Sequence, residues 1–104
     1  GQFFAPTVLV DVNHTMAIMK EETFGPVIAV MRVRSEEEAV KLANDSHYGL
    51  SSSVFSKDRV KAERIARKIV AGSTVINDFA MHYMAQDLPF GGVRGSGFGR
   101  LNGP

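Results

Sequence analysis

The chain has 104 residues, 44% apolar and 22% charged, and its 12 basic and 11 acidic side chains leave a net charge of +1. That balance is ordinary for a folded domain, and no basic stripe of the kind that marks a nucleic-acid binder is present. The absence of cysteine excludes a disulfide framework; no apolar run approaches the ~18 residues of a membrane span, and no signal-peptide pattern precedes the first element.

Thr7-Val8-Leu9-Val10 is β-branched and apolar and predicts a strand. The segment Lys20 to Val27 then sets Glu22 and Phe24 two residues apart before a Gly25-Pro26 corner. On extended chain both side chains point the same way, so a carboxylate acceptor and a flat apolar ring can meet one ligand, such as a sugar diol attached to a ring. The same residues also read as a solvated turn beside an ordinary core phenylalanine.

Pro26 to Val33 is a longer apolar run, the pattern of a strand buried on both faces. Ser35 with Glu38 three residues on forms a capping box, and Glu36 and Glu37 suit the first turn of a helix, which predicts a helix from Glu36 to Asn44. Ser52 to Phe55 predicts a short strand. After it, Ala62, Ile65, Ala66, Ile69 and Val70 fall on one helical face and Lys61, Arg64, Arg67 and Lys68 on the other, with Glu63 and Arg67 at i,i+4 spacing. Gly72 is placed as the glycine that stops this helix, and Thr74-Val75-Ile76 resumes as a strand. The alternation predicts an α/β chain built from parallel βαβ units with right-handed crossovers.

Ligands of open α/β sheets bind beyond the carboxyl ends of strands, which draws attention to Asn77 and Asp78. Asn77 reads either as a turn-forming residue or as a residue that shapes a site. Phe79 to Met84 is an apolar, adaptable stretch, and Met84 suits either an aliphatic ligand tail or core packing. From Gly91 to Gly99 five residues in nine are glycine, so something approaches this backbone closely. Neither a dinucleotide fingerprint nor a P-loop is spelled there, and a glycine-rich turn and a substrate-lining loop both remain open. His14, His47 and His82 are far apart in sequence with no partner at ligand spacing, so no metal site is expected. His82 reads as a hydrogen-bonded structural histidine or as a pocket wall. Gly95-Ser96-Gly97 lacks the spacing of a hydrolase nucleophile elbow.

Taken in order, Gly1-Gln2-Phe3-Phe4-Ala5-Pro6-Thr7-Val8, Glu22-Thr23-Phe24-Gly25-Pro26-Val27, Asn44-Asp45-Ser46-His47-Tyr48-Gly49-Leu50, Gly72-Ser73-Thr74-Val75-Ile76-Asn77 and Pro89-Phe90-Gly91-Gly92 resemble the C-terminal part of the catalytic domain of the aldehyde dehydrogenase superfamily. The resemblance covers almost the whole chain. It implies that residues 1–104 are a parallel-sheet βαβ fragment of that domain, without the Rossmann cofactor domain and the segment bearing the catalytic cysteine. It further implies oxidation of an aldehyde to a carboxylic acid with NAD or NADP, through a cysteine thiohemiacetal, with no catalytic residue on this chain.

By the same resemblance Glu22 holds the nicotinamide-ribose hydroxyls and Phe24 packs beside the nicotinamide. Phe90 lines the aldehyde tunnel, and Asn77 and Met84 are the further pocket candidates. The chain departs from several family members by about two extra residues between Asn77 and Phe90. The wording around Met81-His82 and Leu88 to Val93 looks nearer the branch acting on medium or long aliphatic aldehydes. A cytoplasmic homo-oligomer is expected of the parent enzyme. For the isolated polypeptide the alternative is a structural or assembly module with no catalysis of its own.

Overall fold

The computed structural model describes residues 1–103. Contacts divide the chain into two units, Gly1–Leu42 and Ala43–Pro104. In the first, β1 (Thr7–Val10) and β2 (Val27–Val30) pair in parallel, with Thr7 opposite Val27 and Val10 opposite Val30. Asp11 takes φ 55°, a left-handed conformation that ends β1. The ladder therefore stops at Val30, and the strand predicted to reach Val33 is shorter. Burial on both faces is not found either: Ile28 is 64% exposed and Val30 44%.

Helix α1 (Glu36–Asn44) has the predicted bounds. Its entry is a variant capping box. The Ser35 hydroxyl accepts from Glu38 N–H at 3.1 Å, while the Glu38 carboxylate reaches one residue further back than the standard box and accepts from Arg34 N–H at 2.6 Å. Three glutamates in the first turn complement the helix dipole.

The second unit is built on a βαβ arrangement. β3 (Ser51–Val54) and β4 (Ser73–Ile76) run parallel, with Ser51 opposite Ser73 and Val54 opposite Ile76, and α2 (Arg59–Ala66) connects them. Among the described residues the strands form two two-stranded parallel sheets, β1-β2 and β3-β4. Asp58 caps α2 by accepting from Lys61 N–H at 3.0 Å. Ala62 is fully buried, Ile65 and Ala66 are half-buried, and Lys61, Arg64, Arg67 and Lys68 lie on the exposed face. Glu63 pairs with Arg59 at 3.4 Å rather than with Arg67; both are exposed, so the pair contributes only about 0.3–0.5 kcal/mol.

Gly72 does not stop α2. The helix ends at Ala66 because Asn44 captures the backbone beyond it, its amide donating to Lys68 O at 2.8 Å and its carbonyl accepting from Val70 N–H at 2.7 Å. Gly72 instead permits close approach: a β-carbon there would overlap the carbonyl oxygen of Gly91. The buried apolar residues are Val12, Val54 and Ala62, and among the described residues no large side chain is fully buried.

Candidate functional site

At the carboxyl end of β4 the chain turns sharply through Asn77, whose φ is 56°. Its N–H donates to Val54 O at 2.9 Å, extending the β3–β4 ladder by one bond. Its side chain accepts from Ser56 N–H at 2.8 Å and donates to Ser56 O at 3.0 Å. These bonds take Ser56 out of β3 and explain why that strand ends at Val54 rather than Phe55. Asn77 thus stands where a site residue is expected, with its amide engaged in holding the loop.

Asp78 organises the next turn of the chain. One carboxylate oxygen accepts from Ala80 N–H at 2.7 Å and from Met81 N–H at 2.8 Å. Those donors, Met81 foremost, hold its carboxyl below the usual aspartate range, and the nearby His82 adds to the effect. They start α3 (Met81–Met84), a single turn closed by Met84 N–H to Ala80 O and Ala85 N–H to Met81 O. Met84, at the end of this turn, is exposed.

Phe90 is held from both its backbone and its ring. Its N–H and C=O exchange hydrogen bonds with Leu101, both at 2.7 Å, in an antiparallel bridge. The ring of His82 lies nearly parallel to the Phe90 ring, with centroids 5.8 Å apart and planes at 16°. The Tyr83 ring meets it edge-on at 5.5 Å and 84°.

Between Phe90 and Leu101 the glycine-rich segment folds on itself. The Arg100 guanidinium donates to Gly92 O at 2.8 Å and Gly99 O at 2.7 Å, and the Ser96 hydroxyl accepts from Gly49 N–H at 2.9 Å. Arg94 donates to Asn44 O and Ser46 O, a cation at the end of α1 where free carbonyls favour one. The chain's own atoms approach Gly91, Gly92 and Gly95 closely, whereas Gly97 and Gly99 meet nothing within 4 Å and are needed for their positive φ of 109° and 80°. Leu50, Phe90, Phe98 and Leu101 help wall a cleft of about 290 Å³ beside this turn.

Glu22 and Phe24 lie in the first unit, on irregular chain between a 3₁₀ turn at Ala17–Met19 and β2. Both are exposed, Phe24 at 97%, and Glu22 makes no hydrogen bond or ion pair with another described residue. An acceptor and an aromatic face are therefore both open to a ligand.

His82 departs from the expectation of a hydrogen-bonded histidine: its Nδ1 is buried with no partner among the described residues, and its ring is used as a flat surface against Phe90. Sequence reasoning did not connect His82 and Tyr83 with Phe90, because the contact crosses a loop and matches no helical or strand period. An aspartate directly after a strand is a signal for an Asx turn, yet the role of Asp78 in seating α3 emerges only from the folded loop.

Parallel pairing, a βαβ unit and loop residues gathered at the carboxyl end of a strand define an α/β module. The chain belongs to the aldehyde dehydrogenase family, whose model matches residues 1–104. It is 53% identical over 100 residues to succinate-semialdehyde dehydrogenase [NADP(+)] of Deinococcus radiodurans, covering 96% of this chain and 20% of that protein. It is 50% identical over 103 residues to 4,4'-diapolycopene aldehyde oxidase of a Methylomonas species, covering 99% of this chain and 19% of that protein. A crystal structure of Mycobacterium tuberculosis aldehyde dehydrogenase complexed with NAD+ superposes with a TM-score of 0.93 at 45% identity, covering 100% of this chain and 21% of that one. The chain thus spans about a fifth of the length of the relatives it matches.

Proposed function

We propose that these residues form the C-terminal part of the catalytic domain of an NAD(P)+-dependent enzyme that oxidises an aldehyde to a carboxylic acid through a cysteine thiohemiacetal. The nucleophile comes from polypeptide outside these 104 residues, which contain no cysteine. The observation that carries the reading is the Glu22–Phe24 loop. Its exposed carboxylate is a two-oxygen acceptor suited to vicinal hydroxyls, and its exposed ring offers the apolar face that a planar heterocycle would cover. That pairing of an acceptor with an apolar face fits a nicotinamide riboside, and relatives complexed with NAD+ or named for NADP+ support the class of cofactor.

When bound, such a cofactor supplies a hydride acceptor. This chain's part is to bind and orient. Glu22 accepts from the ribose hydroxyls, Phe24 covers one side of the ring and sheds its water contact, and Phe90, with Asn77 holding the adjoining loop, forms a wall of the aldehyde passage. Met84 extends that wall with a pliable apolar side chain, which favours medium or long aliphatic aldehydes. The enzyme works as a homo-oligomer in the cytoplasm in this reading.

Glu22→Gln in the full-length enzyme tests the assignment. Replacing a charged acceptor by a neutral one should raise the cofactor KM or lower kcat by about tenfold, since hydrogen bonds to charged groups contribute roughly 1.5–3 kcal/mol. Steady-state kinetics indistinguishable from the unmodified enzyme would remove Glu22 from the cofactor site. By itself the 104-residue polypeptide acts as a non-catalytic module, since it has the surfaces but no thiol.

A further inference from the structure

Resting on the reading that Phe90 lines the aldehyde passage, we propose that His82 and Tyr83 are positioning residues that set the orientation of the Phe90 ring and, through it, the width of aldehyde accepted. The Phe90 backbone is pinned by its two-bond bridge to Leu101, which leaves rotation of the ring about its side-chain bonds as the remaining freedom. Two rings remove it from different directions. His82 covers one face at 16° and 5.8 Å, and Tyr83 stands at 84° and 5.5 Å; stacked and edge-to-face geometries at these separations are the preferred aromatic pairings.

The two clamping residues are neighbours on α3, about 100° apart around a helix of 3.6 residues per turn, so one turn of helix presents both directions at once. That turn is seated by Asp78 through Ala80 and Met81 N–H. His82 Nδ1 has no hydrogen-bond partner among the described residues, so its ring is oriented through its face rather than through that nitrogen. All of these contacts lie within the second unit. The chain is thereby a relay in which a carboxylate seats a helical turn, the turn carries two rings, and the rings fix a third that faces substrate.

The test is the ratio of kcat/KM for a slim straight-chain aldehyde, hexanal, to that for a broad one, benzaldehyde, in the full-length enzyme. His82→Leu keeps bulk but loses the flat face, and is expected to change this ratio about three- to tenfold, through the aldehyde KM, with the cofactor KM unaltered. His82→Phe restores a flat ring and is expected to restore the ratio. In a double-mutant cycle, His82→Leu added to Phe90→Ala should have no further effect, because its action passes through Phe90.

Equal ratios for His82→Leu and the unmodified enzyme, or a His82→Leu effect that persists in full on the Phe90→Ala background, would overturn the clamp. A loss in His82→Leu that extends equally to the cofactor KM would mark general misfolding and also overturn it. Should His82→Leu give no folded enzyme, Tyr83→Leu against Tyr83→Phe decides in the same way. Phe90→Ala separates the two levels: if it leaves the aldehyde KM and the ratio untouched, the assignment of Phe90 to the passage fails. If it shifts them while His82→Leu does not, only the clamp fails.

Discussion

Single residues in this chain are placed by backbone demands more than by side-chain chemistry. Asn77 combines a left-handed φ of 56° with two side-chain bonds to Ser56. Asparagine tolerates that conformation because its short polar side chain bonds locally. Asn77→Ala loses both features, at a cost of about 1–3 kcal/mol. In the full-length protein, amide exchange at Ser56 and Asn77 should speed up at least tenfold, and Asn77→Gly, which keeps the left-handed φ, should speed it less. Exchange unchanged in the alanine variant would mean the bridge to Ser56 does not hold the loop. The sequence marks this position twice, as a turn residue and as a strand-end residue. It does not show that the amide is spent on Ser56, since that contact joins residues 21 apart in sequence.

Among the elements, the strongly periodic ones are legible and the tertiary ones are not. Helix α1 has its predicted bounds because the cap and the acidic first turn lie within a few residues of each other and agree. The end of α2 falls short of the predicted one, since the signal that stops it is Asn44, from another element. The turn α3 depends on Asp78 in a way that acidity can read out. The folded-state pKa of Asp78 is lowered, so its contribution to α3 is fully present above the unfolded aspartate value of about 3.9 and is lost as pH falls through the lower folded value. An NMR titration of the Met81 amide should therefore show a midpoint below about 3.9, and Asp78→Asn should abolish that step. A midpoint at or above the ordinary value would contradict the role of the Met81 and Ala80 donors.

At the scale of the whole molecule, the balance between buried and exposed apolar residues governs behaviour. Among the described residues the buried apolar side chains are Val12, Val54 and Ala62, while Phe3, Phe24, Ile28, Phe55 and Phe79 are more than half exposed. Each strand pair also leaves unpaired edges among the described residues. Exposed apolar patches and free edges drive association. The isolated polypeptide is expected to self-associate, with the mass measured by light scattering rising with concentration, and to show no NAD(P)+-dependent aldehyde oxidation. A monodisperse monomer at high concentration would mean that these surfaces are less adhesive than their composition implies.

Sequence alone determined the alternation of strands and helices, the family and the two loops on which ligand binding is proposed, because periodicity, capping and short motifs are carried by residues close together along the chain. Only the tertiary structure decided that β1–β2 and β3–β4 form separate parallel pairs, that Gly72 serves the approach of Gly91, and that His82 and Tyr83 enclose Phe90. These are contacts between residues distant in sequence, set by how loops return to the strands, and no local pattern encodes them. For Glu22 and Phe24 folding added accessibility: the loop leaves both the carboxylate and the ring exposed, a property that two letters in a sequence do not carry.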